Sequence, residues 1–152
     1  MDFRSFLETN HVDYEWLSHT NAFSAQELAE REHVPGDEVI KPVVVQADGQ
    51  SVLCCLPATY RIDWDELRRE LRADVLRLAS EMELPAIFDD CELGAEPPIG
   101  KLFGLPMLMD ASVFADEMVT FQAGTHNDAV RISFGDFIRL SQPKIGHFAV
   151  HS

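Results

Sequence analysis

The 152 residues predict an α+β fold: a mixed, largely antiparallel sheet surrounded by short helices. Three observations lead there. The runs Val39 to Gln46 and Ser51 to Leu56 are apolar and largely β-branched, and they flank Asp48-Gly49, the signature of a β-hairpin. Short helical patterns with their own start signals fall between further strand-like runs. Hairpins and helices are mixed in order instead of repeating as strand–helix units, which argues against an all-parallel sheet. At roughly 100–200 residues per domain, the chain reads as one domain spanning residues 1–152.

Phe3, Phe6 and Leu7 have helical spacing within Asp2 to Asn10, and Tyr14 to Leu17 reads as a strand. Ser24-Ala-Gln-Glu27 is a capping box: hydroxyl and carboxylate each satisfy an orphan backbone donor at the start of a helix that runs to about His33. The hairpin follows and is expected to end at Pro57. Asp63 caps a helix to about Leu71, with Trp64, Leu67 and Leu71 on one face. Val75 to Ala79 reads as a strand, and Ser80 to Glu83 as a second capping box before a short helix holding Leu84 and Ile87. Residues 89–104 carry three Gly and two Pro, the mark of a long shaped loop. Strands follow at Leu105 to Met109, Met118 to Ala123 and Asp128 to Phe134, the last two joined by a turn at Gly124 to Asn127. Asp136 to Leu140 is a final helical segment.

Ten Phe and two Trp supply ample core material. Lys and Arg total 12 against 26 Asp and Glu, a net charge of −14, so the chain lacks the broad basic field of a DNA packager or general RNA binder. A small contact with a nucleic-acid end stays open. No apolar run approaches the ~20 residues that span a membrane, and the N-terminus does not read as a signal peptide. Of three Cys, Cys54 and Cys55 are strand neighbours facing opposite ways, poor disulfide partners, which points to a reducing cytoplasm. No CxxC pair and no HExxH is present, so no metal site and no cofactor is expected.

Several residues could carry chemistry. Lys41 interrupts an apolar strand. It is either an edge lysine with its head in solvent or a partly buried ammonium that positions an anion or an ester oxygen. Pro42 holds it extended in either case. The Gly94–Gly104 loop is either a stiffened surface loop or a backbone cradle whose free carbonyls accept hydrogen bonds from a substrate. His126, in the turn Gly124-Thr-His126, and His19, before the Ser24 helix, are loop histidines or proton handlers. Cys91 invites a thiol-nucleophile reading, but Asp89, Asp90 and Glu92 would raise its pKa. Arg68, Arg69, Arg72 and Arg77 form the one dense basic group, either a solvated face paired with Glu66 and Glu70 or a phosphate-contacting patch.

Taken together, these segments resemble the YbaK family, the free-standing relatives of the editing domain inserted in bacterial prolyl-tRNA synthetase. The matching pieces are His19 with Ser24-Ala-Gln-Glu27; Gly36 and Lys41-Pro-Val-Val-Val45; Leu56-Pro-Ala58 with Arg61-Ile-Asp63; and Leu78-Ala-Ser-Glu81. They continue with Gly94-Ala-Glu-Pro-Pro98-Ile-Gly100, then Ala123-Gly-Thr-His126 and Ser133-Phe-Gly-Asp-Phe137. The resemblance covers about residues 14 to 140. It implies an aminoacyl-tRNA deacylase acting in trans, with Lys41 as the key functional residue and Gly94 and Pro98 as the family's GxxxP loop. His19, Gly100, Gly124 and His126 would complete a substrate site for the tRNA acceptor end, with an aminoacyl-tRNA synthetase as a further partner and neither DNA nor membrane. Two alternatives stand beside it: a binding or regulatory module of the same fold that takes an aminoacyl group or a synthetase without turnover, and an unrelated thiol hydrolase using Cys91.

Overall fold

The computed structural model describes residues 2–18, 25–32 and 35–152. Helix α1 (Phe3–Thr9) is capped by Asp2, whose carboxylate accepts the Ser5 N–H at 3.2 Å, and it buries Phe3 and Leu7. Strand β1 (Tyr14–Ser18) follows. Helix α2 (Ala25–Glu32) buries Leu28 and Ala29 against Val39, Ala58 and Ala129. The predicted cap at Ser24, His33 and the candidate His19 lie outside the described residues.

A 3-10 turn at Gly36–Glu38 leads into the hairpin of β2 (Ile40–Ala47) and β3 (Gln50–Pro57). Asp48 and Gly49 both have positive φ, 50° and 83°, as a two-residue hairpin turn of matching twist requires. The register runs from Ile40 opposite Pro57 to Ala47 opposite Gln50. Pro57 therefore belongs to the strand it was expected to end. A proline is tolerated at that terminal position, and Ala58 then donates its N–H to the Val39 carbonyl at 2.8 Å. Pro42 is tolerated because the next strand over reaches only Val45–Ala47 of β2.

The chain continues with β4 (Tyr60–Ile62), α3 (Trp64–Leu71, capped by Asp63), β5 (Leu76–Leu78) and α4 (Leu84–Ile87). The second capping box is only half formed. Glu83 reaches back to the Ser80 N–H at 2.8 Å, but no side chain caps α4, which starts at Leu84. Residues 89–104 form the expected loop, closed by a 3-10 turn at Gly100–Phe103. After it come β6 (Met107–Asp110), β7 (Met118–Gln122), β8 (Asp128–Ser133) and α5 (Phe134–Ser141), which starts earlier than predicted because Ser133 is its cap. Two C-terminal strands, β9 (Lys144–Gly146) and β10 (Ala149–His151), were not anticipated.

Among the described residues the strands form three sheets, mixed and largely antiparallel as the sequence predicts. Their orders are β5-β2-β3-β6-β9, β1-β8-β7 and β10-β4. Pairing is antiparallel except for β3 with β6 and β6 with β9. A parallel bridge, Val39 to Thr120, links the leading end of β2 to β7. The β2–β3 hairpin is buried on both faces. Ile40, Val44, Leu53 and Cys55 enter the larger core, while Val45, Val52, Cys54 and Leu56 pack with Leu67 of α3 and Phe148. That double burial explains the unbroken apolar run in the sequence and sends Cys54 and Cys55 to opposite faces, both as free thiols.

Candidate active site

The loop at 92–100 and the turn at 124–126 are far apart in sequence and interlocked in space. Glu92 donates its N–H to the Gly124 carbonyl at 2.8 Å, and Gly124 donates its own to Ala95 O at 2.8 Å. The Glu92 carboxylate accepts the His126 N–H at 2.7 Å, and His126 Nε2 lies 2.8 Å from the Leu93 carbonyl. A carbonyl only accepts, so Nε2 carries the proton in this pair. His126 is thus a buried strut, 7% exposed, where the sequence allowed a solvated turn residue.

Gly94 and Gly124 sit at φ +88° and +100°, a region that side chains strain to enter. The Glu96 carboxylate, buried at 6% exposure, accepts the Gly94 N–H at 3.0 Å and holds the loop apex. Pro97, Pro98 and Ile99 are buried behind it. Gly100 has a packing reason of its own: an added Cβ would lie 2.6 Å from the Leu105 carbonyl oxygen. Of the loop carbonyls, those of Glu92, Leu93, Ala95 and Pro97 are occupied. Among the described residues, those of Gly94 and Glu96 take no hydrogen bond.

Lys41 is half-buried near the start of β2, opposite Leu56. Burial lowers its pKa, because it disfavours the charged ammonium. Among the described residues no carboxylate lies within 4.0 Å of it. Three residues earlier the Glu38 carboxylate is taken up by Arg131, at 3.0 Å to both Nε and Nη2, and by the Thr120 hydroxyl at 2.9 Å. Strand alternation puts Lys41 on the side of Val43 and Val45, whereas Ile99 of the loop packs with Ile40 and Val44. No described hydrogen bond or ion pair joins Lys41 to the loop or the turn. The structure assembles Gly94, Pro98, Gly100, Gly124 and His126 into one unit and leaves Lys41 as a separate cation.

The sequence missed Asp116. Its carboxyl is pushed up to about 6, by burial first and then by the charges of Asp37 and Glu38, and its Oδ2 has no hydrogen-bond partner. Nothing in Ala115-Asp-Glu117 signals this, since it arises from chain segments distant in sequence. The Cys91 thiol is pushed up to about 11, chiefly by burial, with Glu96, Asp90 and Asp89 adding to it. At neutral pH it is a thiol, which argues against a thiol hydrolase. Of the neighbours the sequence named, Asp89 and Asp90 act in the expected direction, after desolvation. Among the described residues, no group of three or more His, Cys, Asp or Glu could hold a metal ion, and no helix is long and apolar enough to cross a membrane.

A mixed α+β fold presenting a glycine–proline loop locked to a glycine–histidine turn defines the class. The aminoacyl-tRNA editing domain model matches residues 19–140, and the chain belongs to that family. Among curated proteins it is similar to the proline–tRNA ligase of Leuconostoc citreum, at 25% identity over 131 residues, covering 84% of this chain and 22% of the relative. It is also similar to the proline–tRNA ligase of Staphylococcus saprophyticus, at 26% over 130 residues, covering 77% and 22%. The chain thus spans about a fifth of these relatives' length. Solved structures show the same fold. One is a hypothetical protein with TM-score 0.85 and 14% identity, covering 97% of this chain and 98% of that one. Another is described as a candidate trans-editing enzyme for prolyl tRNA synthetase, with TM-score 0.82 and 20% identity, covering 97% and 94%.

Proposed function

We propose that the chain is a trans-editing deacylase that hydrolyses the ester joining a wrong amino acid to the terminal adenosine of tRNA. The observation that carries this is the half-buried Lys41 ammonium without a described carboxylate partner. A cation taken partly out of water without a counter-charge is costly unless a ligand brings one. A terminal phosphate, or the oxyanion developing on the ester, would supply it.

The Gly94–Pro98 loop is the second part of the proposed site. The Gly94 and Glu96 carbonyls are acceptors suited to the α-ammonium or ribose hydroxyl of the substrate, and the lock to Gly124 and His126 fixes their direction. No Ser-His-Asp arrangement was readable in the sequence, and Cys91 is protonated at neutral pH, so the reading invokes no acyl-enzyme. Water attacks, assisted by the substrate's own ribose hydroxyl, and the protein contributes positioning and charge stabilisation. Size selection in the pocket then rejects the cognate amino acid, at about 1–3 kcal/mol per methylene. The relatives named proline–tRNA ligase favour the tRNA of proline as partner, with its synthetase nearby in the cell.

A panel of purified mischarged tRNAs, scored for deacylation, tests the reading. Turnover of one or a few members, lost in Lys41→Ala, supports it. Binding without turnover across the whole panel would leave a non-catalytic module.

A further inference from the structure

A second concavity lies away from Lys41. It holds about 910 Å³ and opens at the far end of the hairpin, against Ala47, Asp48 and Gln50. Its apolar lining comes from Val52, Leu71, Met107 and Leu108. Its rim carries Arg72 at the C-cap of α3, Lys101 in the 3-10 turn after the loop, and Lys144 at the start of β9.

These cations differ from most others in the chain. Arg68, Arg69, Arg77, Arg131 and Arg139 are each in an ion pair, and Arg4 lies over the Trp16 ring. Arg72, Lys101 and Lys144 have no described carboxylate within 4.0 Å. The two acids lining the cavity are already engaged. Asp48 accepts the N–H groups of Asp74 and Val75, and Glu70 accepts that of His147. The C-terminal ends of α3 and α5 border the cavity and attract cations. Lys101 belongs to neither helix. Three unpaired cations from three separate elements around one concavity, in a chain of net charge −14, form a local exception to its field.

We propose that this rim binds backbone phosphates of the tRNA acceptor stem, as a second contact distinct from the one at Lys41. The assignment rests on the deacylase reading for the identity of the nucleic acid. Six residue steps along extended β2 take the chain from Lys41 to Ala47 at the cavity, about 20 Å at ~3.3 Å per residue. A duplex whose 3′ end enters at Lys41 can follow the protein surface over that distance and bring its backbone to the rim. Contact through phosphates and shape is the usual mode for A-form RNA.

The experiment measures binding of uncharged tRNA across a salt series, together with deacylation of mischarged tRNA and of a free aminoacyl-adenosine. Wild type is compared with a triple variant, Arg72→Ala, Lys101→Ala and Lys144→Ala, and with Lys101→Arg plus Lys144→Arg. Three lost phosphate contacts should flatten the slope of log K against log salt by about 2 to 3. KM for tRNA should rise in the triple variant, kcat and aminoacyl-adenosine hydrolysis should stay unchanged, and the charge-retaining variant should behave as wild type. An unchanged slope in a triple variant with wild-type thermal stability overturns the proposal. So does saturable AMP binding lost in the triple variant without any change in the tRNA slope, which would make the cavity a free-nucleotide site. If wild type hydrolyses neither substrate but the slope still flattens, the phosphate site stands and the deacylase reading fails.

Discussion

His126 Nε2 meets the Leu93 carbonyl at 2.8 Å, and that contact fastens the glycine–proline loop to the β7–β8 turn. The two residues are 33 positions apart in the chain, so the hydrogen bond is tertiary. His126→Ala removes a buried bond and leaves a void, at about 1–3 kcal/mol of stability. The proposed site should suffer with it: kcat/KM falls, and amide hydrogen exchange rises at residues 92–96. His126→Gln keeps a side-chain N–H donor and should recover part of both. Unchanged exchange in His126→Ala would show that the turn does not hold the loop.

Lys41→Ala should abolish deacylation and leave circular dichroism unchanged. Lys41→Met tests the cost of the buried charge. It retains the packing stem without the ammonium, and its Tm should equal or exceed that of wild type. Turnover surviving in either variant rules Lys41 out as the catalytic cation.

Gly94→Ala places a side chain at φ +88°, at a strain cost of order 1 kcal/mol. The sharper readout is the ratio of deacylation rates for a small and a larger aminoacyl ester. A shift against the larger ester places the loop at the aminoacyl group; equal losses for both make it a support. Gly100→Ala should be worse for stability, because the new methyl meets backbone at 2.6 Å, and a clear drop in Tm measures it.

Cys91→Ala should keep full turnover. With the wild-type thiol at about 11, alkylation by iodoacetamide should be slow at pH 7 and accelerate as the pH rises toward that value. Fast alkylation at neutral pH with loss of activity would restore the thiol-hydrolase reading.

Asp116 makes stability pH-dependent in a defined direction. Its folded pKa of about 6 lies above the ordinary 3.8, so the folded state holds this proton more tightly than the unfolded one. Stability from this group is present below pH 3.8 and is lost as pH rises through about 6. Asp116→Asn should therefore raise Tm at pH 7 to 8, and the gain should vanish near pH 4. Melting curves at both pH values decide it.

The local elements were readable in the amino-acid order because their causes are local. Asp63 caps α3, and Asp48-Gly49 takes the left-handed turn. The adjacent cysteines face apart because strand alternation allows nothing else. Lys41, the loop and the His126 turn could be singled out because each breaks the pattern around it. What remained hidden depends on segments distant in sequence. Strands β9 and β10 have three residues each, too few to show a period, and exist because β6 and β4 offer them edges. Asp110 fastens β10 in place by accepting the N–H groups of Phe148 and Ala149 at 2.8 and 2.9 Å. The lock between Leu93 and His126, the raised carboxyl of Asp116 and the three-cation rim all arise the same way. Residues unremarkable in their own segments acquire chemistry only when folding brings them together, because burial and charge act through space and not along the chain.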